Sequence, residues 1–383
     1  MKTDSIILAA LLIPYFEPLL FKEDGFAPVD KVYTIAKIIG LICAVFLFIK
    51  YNYSRCKISC CSLAILSFEL VLFLSTIFHD GDVVKYFGPA VSVISLTLLT
   101  EVYFRRMKIR FIRTARSILF ILLIINATLQ IKYPTGILPE VNFLGIDNRL
   151  VFFYIPLVFF SSIYDYYTYG KTTLFTYVVL ALSLWSTISL WAVGGFLGLI
   201  VMAVSVTLSD FIPRIKKITM YQLISIIIGL NLTVVFFQVQ KYFEAFIVGI
   251  LKKDLTLTGR TYLWEWALES IKKYPLFGFG VQSNEFMLSI YYWVVHPHNM
   301  FLNYLTTSGI VGFFLYMVIL FETAKSSKKI KYDKVQIISN FSVFVILFLS
   351  IADTLDCAVF YMIYIVIGLL PNIRVVTKYK RKR

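Results

Sequence analysis

The apolar residues of this 383-residue chain come in twelve runs of about 15 to 22, and that spacing leaves few folds open. A helical run of this length crosses a hydrocarbon core about 30 Å thick. Inside a bilayer every backbone amide must find its partner within the segment, which selects helices. The runs fall near 6–21, 32–49, 58–78, 83–104, 117–131, 150–164, 172–189, 192–208, 220–239, 299–321, 335–351 and 358–370. With 59% hydrophobic residues and a mean hydropathy of +0.80, a soluble class is excluded. The expectation is an all-α, polytopic membrane helix bundle of about 12 transmembrane helices, a single integral membrane domain over 1–383. The first run carries Pro14, Glu17 and Pro18, which break it, and no small-residue cleavage site follows, so it is read as retained. Four of the five cysteines lie in or at the ends of runs and Cys56 in a basic segment, so no disulfide framework is expected.

The formal charge of +15 would suggest nucleic acid in a soluble protein. Here the basic residues sit between runs, where they set topology and touch anionic membrane lipids, so nucleic acid is discounted as a partner. The four basic segments at 105–116, 213–217, 325–334 and 378–383 fall on one face, with about 25 of the 37 Lys and Arg. Both termini are therefore expected in the cytoplasm. The hydrophilic stretch 240–298 then becomes one long extracytoplasmic loop.

That loop carries the residues with chemistry. From Thr261 to Tyr274 it reads as an amphipathic helix, with Trp264, Ala267, Leu268 and Ile271 on one face and Glu265, Glu269, Lys272 and Lys273 opposite, ended by Pro275. Arg260 stands at its start, where a planar guanidinium and free helix amides suit phosphate oxygens; the plain alternative is an arginine that contacts lipid. His296 and His298 precede the tenth run, where an imidazole can serve as general base or simply cap a helix. Two histidines at i and i+2 with no third ligand nearby make a weak zinc signal, and no metal is assigned. Arg149, in another external loop, is either a second cation sharing a pyrophosphate with Arg260 or an ion pair with Asp147. Gly278-Phe279-Gly280 lacks the third glycine of a dinucleotide fingerprint and reads as a turn. Gly194, Gly195 and Gly198 read as close helix packing. Glu69 and Glu101 are costly charges if buried, Glu101 being near the basic end.

Thr258-Gly259-Arg260 with Trp264, Pro275-Leu276-Phe277-Gly278-Phe279-Gly280, His298-Asn299-Met300-Phe301-Leu302 and Gly309-Ile310-Val311-Gly312 together resemble the O-antigen ligase and polymerase superfamily. These are membrane glycosyltransferases acting on undecaprenyl-diphosphate-linked sugars in the bacterial cell membrane. The resemblance covers about 55 residues closely and implies a GT-C-like bundle. It implies that Arg260 holds the lipid diphosphate and that His298 promotes attack by the acceptor hydroxyl, with His296, Asn299, Trp264 and Arg149 as substrate contacts. Members often carry a second arginine before the eighth span; this chain has Ser186-Thr187-Ile188-Ser189-Leu190-Trp191 there, which leaves Arg149 as the substitute. The implied chemistry is inverting, needs no cofactor, and works beside a chain-length regulator and a flippase. The Lys-, Ile- and Phe-rich composition favours the polymerase branch over the ligase. A flippase for the same lipid-linked sugars is the rival class, and the loop histidine argues against it.

Overall fold

Helix is the regular structure throughout the described residues of the computed structural model, which are 2–52, 58–207, 218–237 and 260–373, apart from two isolated bridges. In chain order the helices are α1 (Lys2–Leu12), α2 (Ala27–Asn52), α3 (Cys60–Phe78), α4 (Val83–Met107), α5 (Ile109–Lys132), α6 (Val151–Tyr169), α7 (Leu174–Ser189), α8 (Val193–Thr207) and α9 (Met220–Phe236). After them come α10 (Arg260–Lys273), α11 (Asn284–Tyr291), α12 (Met300–Ser327), α13 (Asp333–Leu349) and α14 (Ala358–Leu369). Each of the twelve expected runs overlaps one of these, the first only in its opening half. Six helices are long and apolar enough to cross a membrane, and five shorter apolar ones accompany them. The fold is thus a polytopic membrane helix bundle. As its prolines foretell, the first run breaks after α1 into 3-10 turns at Ile13–Phe16 and Leu19–Lys22.

Burial sorts the helices by position. In α6 89% of the apolar window is buried, against 11% in α2, so α6 is central and α2 peripheral. On α2 the exposed Val32, Ile35, Ile39, Ile42, Phe46 and Ile49 recur every three or four residues, a stripe that only lipid can cover without cost. The buried carboxylates Glu17 and Glu101 are paired, whereas Glu69 on α3 is met by the Tyr86 hydroxyl, which donates to its Oε2 at 3.4 Å. Glu17 meets Lys37. Glu101 is fully buried and accepts from Ser59 N at 3.0 Å, Ser62 Oγ at 2.7 Å and Arg105 Nε at 2.7 Å, which ties the start of α3 to the end of α4.

These contacts distinguish the two ends of the bundle. The start of α3 also meets the end of α12, where Cys61 Sγ lies 3.7 Å from Thr323 Oγ1. The basic segments 105–116 and 325–334 therefore share one end of the bundle; 213–217 and 378–383 lie outside the described residues. At the opposite end Ser75, late in α3, donates to Phe277 O at 2.6 Å and meets the segment leading into α12. A reporter that works only outside the cytoplasm should be active when fused at Ser283 and silent at Lys108 and Lys329; the reverse pattern would invert the orientation.

At that end α10, α11 and the chain between them form a cap. Trp264, Leu263, Ala267, Phe279, Met287 and Tyr291 bury one another in a small apolar cluster. The segment 275–281 is stitched into a break in α12: Ile310 N donates to Pro275 O at 2.9 Å, Val311 N to Leu276 O at 3.1 Å, Phe279 N to Thr306 O at 2.9 Å and Gly280 N to Thr307 O at 2.9 Å. The break is at Gly309, with φ 62° and ψ −166°, and a Cβ there would stand 2.3 Å from Leu276 O. Gly280, at φ 74°, leaves a Cβ 2.3 Å from Thr76 Cα. The glycines at these motif positions are thus required by close approach between backbones. Gly309→Ala should cost at least about 2 kcal/mol from left-handed strain plus the clash, read as a lower unfolding temperature in detergent. Gly229→Ala, within α9 where a Cβ meets nothing within 4 Å, is the control that should not lower it.

Candidate active site

Asn299 builds the site. It caps α12, its Oδ1 accepting from Leu302 N at 3.0 Å, while its Nδ2 donates to Ile351 O at 3.0 Å. Met300 N adds a bond to Ser350 O at 3.0 Å. The start of α12 is thereby fastened to the 350–357 loop between α13 and α14. The side chain of Asn299, expected as a substrate contact, is fully buried with both polar ends bonded within the protein, so it clamps these segments together and positions its neighbours.

The clamp sets His298 against Asp353. His298 Nδ1 lies 3.3 Å from Asp353 Oδ1, close enough for charge contact though not aligned as a hydrogen bond. His298 itself adopts φ 49°, a left-handed conformation that costs an L residue about 1 kcal/mol and is held by the surrounding bonds. With Nδ1 turned to a carboxylate, Nε2 is left as the basic nitrogen. Arg149 reaches the same carboxylate, Nη2 at 3.9 Å from Asp353 Oδ1, and donates Nη1 to Thr354 O at 3.3 Å. Its carboxylate partner is therefore Asp353 and not Asp147, which accepts from Asn148 N at 2.7 Å. Burial pushes the Asp353 carboxyl up, but the facing His298 imidazole and the Arg149 guanidinium outweigh it and hold the pKa below the ordinary value.

His296 is a different kind of histidine. Its Nδ1 accepts from His298 N at 3.4 Å and lies 3.5 Å from Thr354 Oγ1, with the two imidazole centroids 4.3 Å apart. Burial first, then the neighbouring His298, Arg149 and Arg260 charges, push its pKa down to about 4. His296 is therefore neutral near pH 7. Because the folded value lies below the unfolded one, its contribution to stability is present above about pH 6.5 and is lost as pH falls toward 4. A histidine nitrogen signal that stays neutral down to about pH 4 should be seen by NMR and vanish in His296→Ala. Titration of that signal near pH 6.5 would show an open site.

Arg260 opens α10 and lines a cavity of about 380 Å³ with Asp147, Asn148 and Asp353. The cavity's remaining walls are apolar, including Leu197, Leu230, Val234, Leu349 and Leu355 from α8, α9 and α13 and the loop after it. Gly195 at the start of α8 meets Val151 at the start of α6, and Gly198 meets Val345 on α13, so the expected close packing forms one side of this space. Arg260 and Arg149 both act electrostatically on His296, which gathers two cations, two imidazoles and one carboxylate, and of these Arg260 and Asp353 line the cavity. Thr258 and Gly259 lie outside the described residues. Trp264, expected as a substrate contact, is 1% exposed in the cap's apolar cluster and is not among the residues lining this cavity.

Sequence spacing found no third ligand beside the histidines, and Asp353 supplies one, since donor atoms of His296, His298 and Asp353 lie within 4.8 Å of one another. Such a trio can hold a divalent ion. Two guanidiniums at the same place oppose it, and one of them already occupies Asp353. Asp353 is the candidate site residue that sequence reasoning missed. The signal was present as Asp353-Thr354-Leu355-Asp356, a polar loop on the same face as His298.

A family model described as O-antigen ligase matches residues 156–317, from within α6 to within α12. That interval contains Arg260, His296 and His298 and omits Arg149 and Asp353. The chain is also similar to the exopolysaccharide production protein ExoQ of Rhizobium meliloti (strain 1021), 33% identical over 94 residues, an alignment covering 19% of this chain and 20% of that protein. The match thus spans about a fifth of the relative's length. The family-model match over residues 156–317, the similarity to ExoQ and the helical membrane bundle all support the resemblance of this chain to the O-antigen ligase and polymerase superfamily.

Proposed function

We propose that this protein is a polysaccharide polymerase of the external membrane face, joining undecaprenyl-diphosphate-linked oligosaccharide repeat units into capsular, exopolysaccharide or O-antigen chains. The observation that carries the reading is the His298–Asp353 pair with Arg149 and Arg260 beside a cavity whose walls, apart from Arg260, Asp353, Asp147 and Asn148, are apolar. A polyprenyl diphosphate has the same division, an anionic head on an apolar chain. His298 Nε2 takes the proton from the acceptor hydroxyl as its oxygen attacks the anomeric carbon of the donor glycan. The bond from that carbon to the diphosphate oxygen breaks, and the electron pair leaves with the lipid diphosphate. Attack from the face opposite the leaving group inverts the centre. Arg260 and Arg149 stabilise the charge that develops on the departing diphosphate, and Asp353 stabilises the imidazolium.

The test gives purified protein a synthetic undecaprenyl-diphosphate repeat unit, without nucleotide and with a chelator, and resolves products by size. A ladder supports the polymerase. The family description favours a second reading, the ligase, which predicts a single transfer to a lipid A core acceptor and no ladder. Movement of the lipid across a vesicle membrane without new glycosidic bonds would make the protein a flippase. A chain-length regulator and a flippase are the partners this reading calls for.

A further inference from the structure

The end of the bundle remote from His298 carries a second cavity, of about 410 Å³, between α1, α2, the end of α4 and the start of α5. Its walls are apolar, with Ile7 and Leu11 from α1 and Phe46 and Leu47 from α2. Its polar lining is Asp4, Arg106 and Arg110, with the phenols Tyr51 and Tyr103. Tyr103 lies within electrostatic reach of Asp4, Cys43, Tyr51 and Arg106, which marks these groups as facing one space.

The local sequence explains why two arginines meet there. Lys108, at φ 47°, is the sole residue between α4 and α5, so the chain reverses at once and Arg106 and Arg110 flank the turn. Arg106 is held flat, its Cζ 3.8 Å from the Tyr51 ring centroid, which keeps its fork open to a ligand. Neighbouring Arg105 is committed elsewhere, bonded to buried Glu101 at 2.7 Å. Among the described residues no carboxylate comes within ion-pair distance of Arg106 or Arg110. Two guanidiniums and the Asp4 carboxylate leave the cavity one positive charge, and its apolar side merges with the exposed lipid-facing stripe of α2 that ends in Ile42, Phe46 and Ile49.

We propose that this cavity binds one anionic glycerophospholipid, with the phosphodiester between Arg106 and Arg110, the headgroup hydroxyls at Asp4, and an acyl chain along Ile7, Leu11, Phe46 and Leu47. The single headgroup charge matches the cavity's own. A helix packed at the margin of the bundle, such as α1, would be pinned to the α4–α5 turn by this lipid. The site is independent of the glycan chemistry at His298, and its test does not read transfer activity.

The experiment is native mass spectrometry of the full chain released from mild detergent, offered phosphatidylglycerol, phosphatidylethanolamine or phosphatidylcholine of identical acyl chains. Wild type should retain one phosphatidylglycerol in preference to the others. Arg106→Gln and Arg110→Gln should each weaken retention roughly fivefold, as expected for about 1 kcal/mol per cation near a membrane surface. Arg113→Gln, on the same basic segment but outside the cavity, should change nothing. Asp4→Asn removes no cation and should tighten retention, which keeps the test decisive should an arginine variant fail to fold. Equal retention of the three lipids, or a preference for phosphatidylethanolamine, would overturn the proposal. Displacement of the bound lipid by millimolar inorganic phosphate would make this a free-anion site and overturn the lipid assignment.

Discussion

Purified, normally inserted His298→Ala should make glycan between a hundredfold and ten-thousandfold more slowly, on the order expected for loss of a positioned general base. Cells carrying it should accumulate lipid bearing a single repeat unit. The reason lies in the geometry: Asp353 holds Nδ1 at 3.3 Å, and Asn299 fixes the backbone on which His298 stands. Asp353→Asn tests the pairing separately. It keeps the shape but removes the charge that orients and stabilises the imidazolium, so kcat should fall with little change in KM, and the acid limb of the pH profile should move. His296→Ala should be milder on rate, since a buried histidine held neutral, with its pKa near 4, serves as an acceptor for the His298 backbone rather than as a base. A His298→Ala protein that polymerises at the wild-type rate would remove the base from the mechanism, and with it the role given to Asp353.

The second large effect belongs to Arg260. If it binds the departing diphosphate with two parallel N–H bonds, Arg260→Lys keeps the charge but loses the planar fork, and transfer should fall on the order of a hundredfold to a thousandfold. Arg149→Ala should act in the same direction while also releasing Asp353 from its second partner, so the double variant with Asp353→Asn should be less than additive. Normal polymer from a well-expressed Arg260→Ala protein would reduce the residue to an anchor for α10.

Much of this was legible before any fold was known, for a physical reason. Lipid imposes its demand on each segment separately: a run long enough to cross must close its own hydrogen bonds, so the twelve runs could be located one at a time and each overlaps a helix. Amphipathic periodicity is equally local, and it found α10 with its buried face of Trp264 and Ala267. The charge of Arg260 and the titratable ring of His298 are visible as residue types.

What the helices bring together was not legible, because meeting across the bundle has no period in the chain. Asp353 lies 55 residues after His298, beyond α12 and α13, and becomes its partner only because Asn299 ties the two span ends together. Arg149 prefers that distant carboxylate to Asp147 two residues away, since the loop geometry turns Asp147 onto the Asn148 amide. Asn299 and Trp264 stand out in sequence as residue types suited to ligand contact; that one is buried as a clamp between segments and the other in the cap's cluster is set by packing. The glycines of the cap motif look like a turn in sequence; that Gly280 and Gly309 must be glycine follows from backbones lying closer than a Cβ allows. Sequence by itself determined the class of the chain, its spans and the residue types available for chemistry. Tertiary structure decided which of those residues share a site, because that depends on distances between helix ends that no local pattern encodes.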